Sequence, residues 1–195
     1  MLKKPFLITC VLLFLNCSND IEDTSGTELL SNFKMSLNHW QNLKRSHTSS
    51  YMYTVSSKTN LGYLNQTKIT VKKGIVFSRV YEEYTLYDED NNRLKYENRI
   101  ILTSFIEDIS NIGSHSCEAS EDDLNSISYC YAAPALTIDE LYNTCLNTYL
   151  TVNALTNNIV FEVDDLNLLK NCYYTSNLCS DNCYTGIKLT NFKWL

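Results

Sequence analysis

The chain has little proline and glycine, two and five among 195 residues. That excludes a collagen-like repeat, which needs glycine at every third position, and a Pro/Ser-rich spacer. Cationic residues are outnumbered: 16 Lys and Arg stand against 22 Asp and Glu, a formal charge of −6. Phosphate backbones are held by clustered Lys and Arg. An acidic chain with scattered lysines is therefore not read as a nucleic-acid partner, nor as one lying on anionic lipid through a basic face. No apolar run reaches the roughly 20 residues that a membrane-spanning helix needs. There are three histidines, His39, His47 and His115, and none falls in a recognised motif. Gly-x-Ser-x-Gly, His-Glu-x-x-His and a Gly-rich phosphate loop are all missing, so the sequence assigns no catalytic residue and no cofactor.

What is there points to a packed domain. Hydrophobic residues make up 44% and aromatic residues 12% of the chain, including 14 Tyr. These are globular proportions, and tyrosine favours half-buried strand positions.

The first residues carry an address. Lys3 and Lys4 precede an apolar run over residues 6–15, which matches the charged and hydrophobic regions of a signal peptide. The run stops at Asn16-Cys17. A cysteine at that place resembles the lipobox of bacterial lipoproteins, where it becomes the diacylated first residue of the mature chain. Asn16 and Phe14 depart from the usual residues there. Residues 1–16 are thus expected to be removed, leaving 179 residues with 14 basic against 22 acidic side chains, a formal −8. Two acyl chains on Cys17 give stable anchoring. Residues 17–26 read as an acidic tether with Asp20, Glu22 and Asp23, resembling a surface-display signal. The expected location is the bacterial outer membrane or cell surface, with the periplasmic face as the variant. The rival is an ordinary secretory leader on a soluble disulfide-rich protein. In a eukaryote, Asn65-Gln66-Thr67 would then be a glycosylation sequon.

Cysteine usage supports export. Eight cysteines less Cys10 in the leader and Cys17 leave Cys117, Cys130, Cys145, Cys172, Cys179 and Cys183. An even number in an exported chain reads as three disulfides, with 15 connectivities open. Proximity favours Cys117–Cys130 and Cys179–Cys183, leaving Cys145–Cys172. A zinc site is the rival, but six and three residues separate the last three cysteines, unlike the Cys-x2-Cys pairs of zinc knuckles. Glu118, Glu121, Asp122 and Asp123 form an acidic run between the first pair. It lacks the alternation and glycine of a calcium loop and reads as solvated charge. Asp164, Asp165 and Asp181 read as turn and surface residues that the last strands could bring together.

Periodicity sketches the elements. Residues 27–45 read as a helix capped by Thr27, with Leu30, Phe33, Leu37 and Trp40 on one face and Lys44 and Arg45 at its negative end. Residues 51–57 alternate, with Tyr51, Tyr53 and Val55 facing one way. Residues 66–72 alternate again, with Thr67, Ile69 and Val71 opposite Lys68, Thr70 and Lys72. Lys73-Gly74 signals a turn into a long strand over 75–87. Residues 88–131 read as an insertion. Within it, 99–109 is apolar, and Leu102, Phe105, Ile106 and Ile109 lean towards a helix. Thr137-Ile138-Asp139-Glu140 opens a second helix with a capping box. Its apolar stripe is Ile138, Leu141, Tyr142, Cys145, Leu146 and Tyr149, which turns Cys145 to the core. Residues 159–163 and 187–195 read as closing strands. The expected class is α+β, with an antiparallel sheet of about five strands packed by an N-terminal helix and a second helix after the insertion. Residues 27–195 form one domain.

Four stretches carry a family resemblance. They are Trp40 followed by Tyr51-Met52-Tyr53-Thr54-Val55; Ile69-Thr70-Val71-Lys72-Lys73-Gly74-Ile75-Val76; Thr137-Ile138-Asp139-Glu140-Leu141-Tyr142; and Phe161-Glu162-Val163-Asp164 with residues 181–192. In this order they resemble an uncharacterised family of small bacterial lipoproteins, the domain of unknown function 6174. Where that family has a Gly-Tyr-Pro run, this chain has Asn171-Cys172-Tyr173-Tyr174. The resemblance implies export and an α+β fold, and no activity. The function read from the residues is a non-enzymatic binding or accessory domain held to the membrane through lipid on Cys17. Its ligand would be a protein or glycan, met by the insertion and the Tyr-rich strands. The alternative is an envelope enzyme, marked by a pocket holding His39 or His115 beside a carboxylate.

Overall fold

A computed structural model describes residues 24–58, 63–115, 131–179 and 183–195. Elements run α1 (Thr24–Ser46), β1 (Tyr51–Lys58), β2 (Leu64–Lys72), β3 (Ile75–Thr85), β4 (Ile100–Asp108), α2 (Ile138–Thr144), β5 (Asn157–Val163), β6 (Leu169–Ser176) and β7 (Tyr184–Trp194). The strands form one sheet in the order β4-β3-β2-β1-β7-β6-β5, and every neighbouring pair is antiparallel. The fold is therefore α+β, as expected, with seven strands rather than about five. Two meanders, β1–β4 and β5–β7, are joined where β7 pairs with β1.

The two additional strands have physical reasons for escaping the periodicity. β4 lies in the stretch that leaned towards a helix. There Thr103, Phe105 and Glu107 point to the covered face at a two-residue step, and Tyr81↔Phe105 and Arg79↔Glu107 register them on β3. The helical spacing of Leu102, Ile106 and Ile109 is incidental, since these three side chains are exposed. The described part of residues 88–131 thus supplies an edge strand as well as loops. β6 was hidden because Asn171 and Lys170 interrupt its apolar residues. It pairs on both sides, Cys172 lying opposite Phe161 of β5 and Ile187 of β7.

Both helices lie on one face of the sheet. Lys73 (φ 51°) and Gly74 (φ 79°) make the tight turn between β2 and β3, a type I′ geometry in which both positions need positive φ. The alternation in β1 and β2 then delivers Tyr51, Tyr53, Ile69 and Val71 to the covered face, all fully buried. On that face Trp40 of α1 stacks on Trp194 (5.4 Å) and meets Tyr51 edge-on (5.1 Å). Phe33 meets Tyr142 of α2 and Phe161 of β5 at 5.8 and 5.5 Å. Two expectations for α1 are corrected. The helix already includes Thr24, so Thr27 lies within it and does not cap it, and Leu30 is exposed while Phe33 and Trp40 are buried.

α2 starts as its sequence requires. Thr137 accepts from the Glu140 amide at 3.3 Å, and the Glu140 carboxylate accepts from the Thr137 amide at 2.7 Å. Thr137→Ala removes the first of these bonds. It is expected to lower stability by about 1 kcal/mol, read as a shifted urea midpoint at unchanged slope. The helix continues as one wide turn, Cys145–Tyr149, in which the Leu150 amide reaches the Cys145 carbonyl at 3.0 Å. That extra residue rotates Leu146 outwards, so the expected stripe loses it. Cys145 stays fully buried.

Candidate binding groove and the buried polar network

Cys145 is bonded to Cys172 with Cα atoms 5.8 Å apart, and Cys179 to Cys183 at 6.1 Å. The second is a pair that proximity favours, and the first is the pair it leaves over. Their sulfurs are bridged, so these four cysteines are not thiolate ligands for zinc. Among the described residues, no group of three or more His, Cys, Asp or Glu could hold a metal ion. The Cys145–Cys172 bond ties the second helix to the sheet. Gly186 lets β7 lie close against it: with φ 146°, a Cβ there would sit 2.3 Å from the Cys172 carbonyl oxygen. Residues 1–23, with Cys10, Cys17 and most of the tether, lie outside the described residues. So do Cys117, Cys130, the acidic run Glu118, Glu121, Asp122 and Asp123, and Asp181. Asp164 does form a turn: its carboxylate accepts from the amides of Leu166 and Leu168, each at 2.9 Å.

A groove of about 830 Å³ opens between α1 and the β5–β6 hairpin. Met35 and His39 line it from the helix, and Phe161, Glu162 and Lys170 from the strands, with Asn32 and Asn167 at its polar margin. Its floor is a relay of hydrogen bonds. The Leu169 amide donates to the Tyr142 hydroxyl (3.0 Å), that hydroxyl to Ser36 Oγ (2.6 Å), and Ser36 to the Asn167 carbonyl (2.9 Å). Three elements are thereby locked around one buried serine. The relay lowers the Tyr142 pKa, but burial raises it by more, so the hydroxyl stays protonated as a donor. Apolar contact from Met35 and Phe161, together with charges of both signs, suits a polar ligand presented at a surface. His39 and Glu162 both line the groove, with no hydrogen bond between them; the Glu162 carboxylate instead accepts from the Asn171 side-chain amide. Sequence spacing placed His39 on α1. Nothing in the sequence paired it with Glu162 or Lys170, 123 and 131 positions away, because only the return of β5 and β6 under α1 does so.

His47 and His115 are built into the packing. His47 stacks on Trp194 at 4.3 Å. His115 stacks on Phe105 at 4.4 Å, and its Nδ1 lies 3.2 Å from Glu107. Glu107 is fully buried, and Arg79 is 4% exposed. Two guanidinium nitrogens of Arg79 donate to its two oxygens, both at 2.8 Å. The Glu107 carboxylate also accepts from the amides of Gly113 (2.9 Å) and His115 (2.7 Å). Arg79 further donates to the carbonyls of His115 (2.7 Å) and Ala133 (3.3 Å). Burial pushes the Glu107 carboxyl up; the bonds from Arg79, Gly113 and His115 outweigh it and hold the group at about 2. His115 thus stands beside a carboxylate, but one already occupied by Arg79 and two amides.

Asn65 is 2% exposed on the covered face, where its Oδ1 accepts from Ser57. A glycan on its Nδ2 has no space in this packing, so the sequon does not mark a glycosylated surface. Among the described residues no helix is long and apolar enough to cross a membrane.

Comparison of the chain with protein families, with curated proteins and with solved structures finds no match.

Proposed function

We propose that the chain is an exported lipoprotein of a bacterial envelope, anchored through acyl chains on Cys17, whose folded domain is a non-enzymatic binding or accessory module. The observation that carries export is the pair of disulfides, since such bonds persist in oxidising compartments and are rare in the cytosol. The apolar run ending at Cys17 supports the anchor, and the order of the four family-like stretches supports the lipoprotein class. Ligand contact falls to the groove beside His39 and Lys170, whose margins offer donors, acceptors and exposed Met35. A protein or glycan surface fits that chemistry.

Intact mass tests the anchor. The full chain is expressed in a bacterial host beside Cys17→Ser, with alkylation after denaturation. The expected result is a chain beginning at Cys17 that carries two or three acyl chains and takes up no alkylating agent. A chain beginning at Ser18 would overturn the anchor. Alkylation at Cys145 or Cys172 would overturn the oxidised state. A second reading, an envelope enzyme, draws on the same groove because His39 and Glu162 both line it. A ligand recovered unchanged after incubation supports binding, and one recovered as product supports the enzyme.

A further inference from the structure

Four adjoining strands, β2, β1, β7 and β6, carry six lysines and no aspartate or glutamate, in a chain whose acidic residues outnumber its basic ones. Alternation sends five of the six to one side of the sheet. Lys68 and Lys72 alternate with the buried Thr67, Ile69 and Val71, and Lys58 with Tyr53 and Val55. Lys188 lies between the buried Ile187 and Leu189, and Lys193 between Phe192 and Trp194, which pack on Trp40. Both helices cover the opposite side, so the five lysines emerge on the open face; Lys170 lines the groove instead. Four of the five are exposed, and Lys188 is half-buried because its ammonium lies over the rings of Tyr173 (4.5 Å) and Tyr184 (3.7 Å). Among the described residues none of the five is ion-paired. The carboxylates of the flanking strands are already held: Glu82 by Arg99 and Gln66, both at 2.7 Å, Asp108 by Ser110, and Glu162 by Asn171. The centre of this face is therefore cationic although the chain is acidic.

We propose that the open face is a docking surface for an acidic polysaccharide. Uncompensated lysines on one face draw a polyanion. What separates them selects the kind of polyanion. No lysine stands opposite another: Lys68 faces Thr54 and Val80, Lys193 faces Met52, Lys58 faces Leu64, and Lys188 faces Asn171. Between them on the same face lie Ser56, Thr70 and Thr190, whose hydroxyls both donate and accept. A polymer whose carboxylates are spaced by hydroxyl-bearing rings matches this pattern, and Tyr173 and Tyr184 offer ring surfaces beside Lys188. A nucleic acid carries denser charge and is held by clustered cations and a track of stacking rings. A lipid surface gains from apolar side chains among the cations, whereas the exposed Leu102 and Ile106 stand apart on β4, beyond β3. The inference rests on neither the anchor nor the groove.

The test uses the full chain carrying Cys17→Ser, exported so that its cysteines oxidise. Calorimetry measures its binding to polygalacturonate, beside the same chain with Lys68→Gln and Lys193→Gln. The expected result is saturable binding that weakens as salt rises, because exposed charges are screened. The double variant should bind about tenfold more weakly at an unchanged thermal midpoint. Lys170→Gln, which alters the groove, should bind as the parent chain does, and dextran, which has the hydroxyls without the charge, should not bind. Absence of binding to polygalacturonate overturns the proposal. So does equal binding by the double variant, equal binding of dextran, or a loss confined to Lys170→Gln. Tighter binding to oligothymidylate or to phosphatidylglycerol vesicles than to polygalacturonate overturns it as well, by assigning the face to nucleic acid or to lipid.

Discussion

Arg79→Ala is expected to cost about 3–5 kcal/mol, a fifth or more of the stability of an ordinary domain, because it leaves the Glu107 carboxylate buried without its counter-ion. The side chain does more than neutralise. It reaches the carbonyls of His115 and Ala133, so it pins both ends of the segment between those residues to the sheet. Replacing both partners together, as Arg79→Met with Glu107→Leu, removes the buried charge on both sides and is expected to recover most of the loss, since apolar replacement of a buried pair is often neutral. Urea unfolding of the three proteins checks this. An Arg79→Ala cost below 1 kcal/mol would show that the pair does not hold the segment.

Acid should report the same network. The Glu107 carboxyl sits at about 2 in the folded protein, whereas an unfolded glutamate titrates near ~4.3. The folded form therefore binds this proton later, and the stabilisation is complete above the unfolded value. It is lost as pH falls from about 4.3 towards 2. Glu82 and Asp108 are also held low, Glu82 by Arg99 and Gln66 against the opposing effect of burial, and Asp108 by Ser110. The whole protein thus weakens in acid for several reasons. The difference between wild type and Glu107→Gln isolates one of them. That difference should shrink through this window and be constant above it.

The second large loss is expected from Cys145→Ala with Cys172→Ala. The bond spans 27 positions, and restricting an unfolded loop of that length is worth about 3–4 kcal/mol. The same argument gives about 2 kcal/mol for Cys179 and Cys183, four positions apart. The ordering is the prediction: removing the first pair should lower the thermal midpoint distinctly more than removing the second. Cys145 and Cys172 are also fully buried against Leu141 and Ile187, so their loss opens space in the core. Equal effects would mean that chain restriction is not what these bonds contribute.

Local chemistry was legible wherever one residue type forces one geometry. Thr137 with Glu140, Lys73 with Gly74, and the alternation of Tyr51, Tyr53, Ile69 and Val71 each determine a short backbone path from neighbouring residues alone. Cys145 facing inwards followed from helical spacing, and its pairing with Cys172 from elimination among few partners. The α+β class followed from these pieces, as did the division of β1 and β2 into two opposite faces. Tertiary structure alone decided what depends on distant pairing. Residues 100–108 carry both a helical and a strand pattern, and β3 selects the strand by supplying Arg79 opposite Glu107. β6 is a strand because β5 and β7 flank it. His115 is locked in packing, and His39 faces a groove with Glu162 and Lys170, for the same reason. A side chain's spacing along the chain determines which way it points, but the closing of non-local strands determines what it points at.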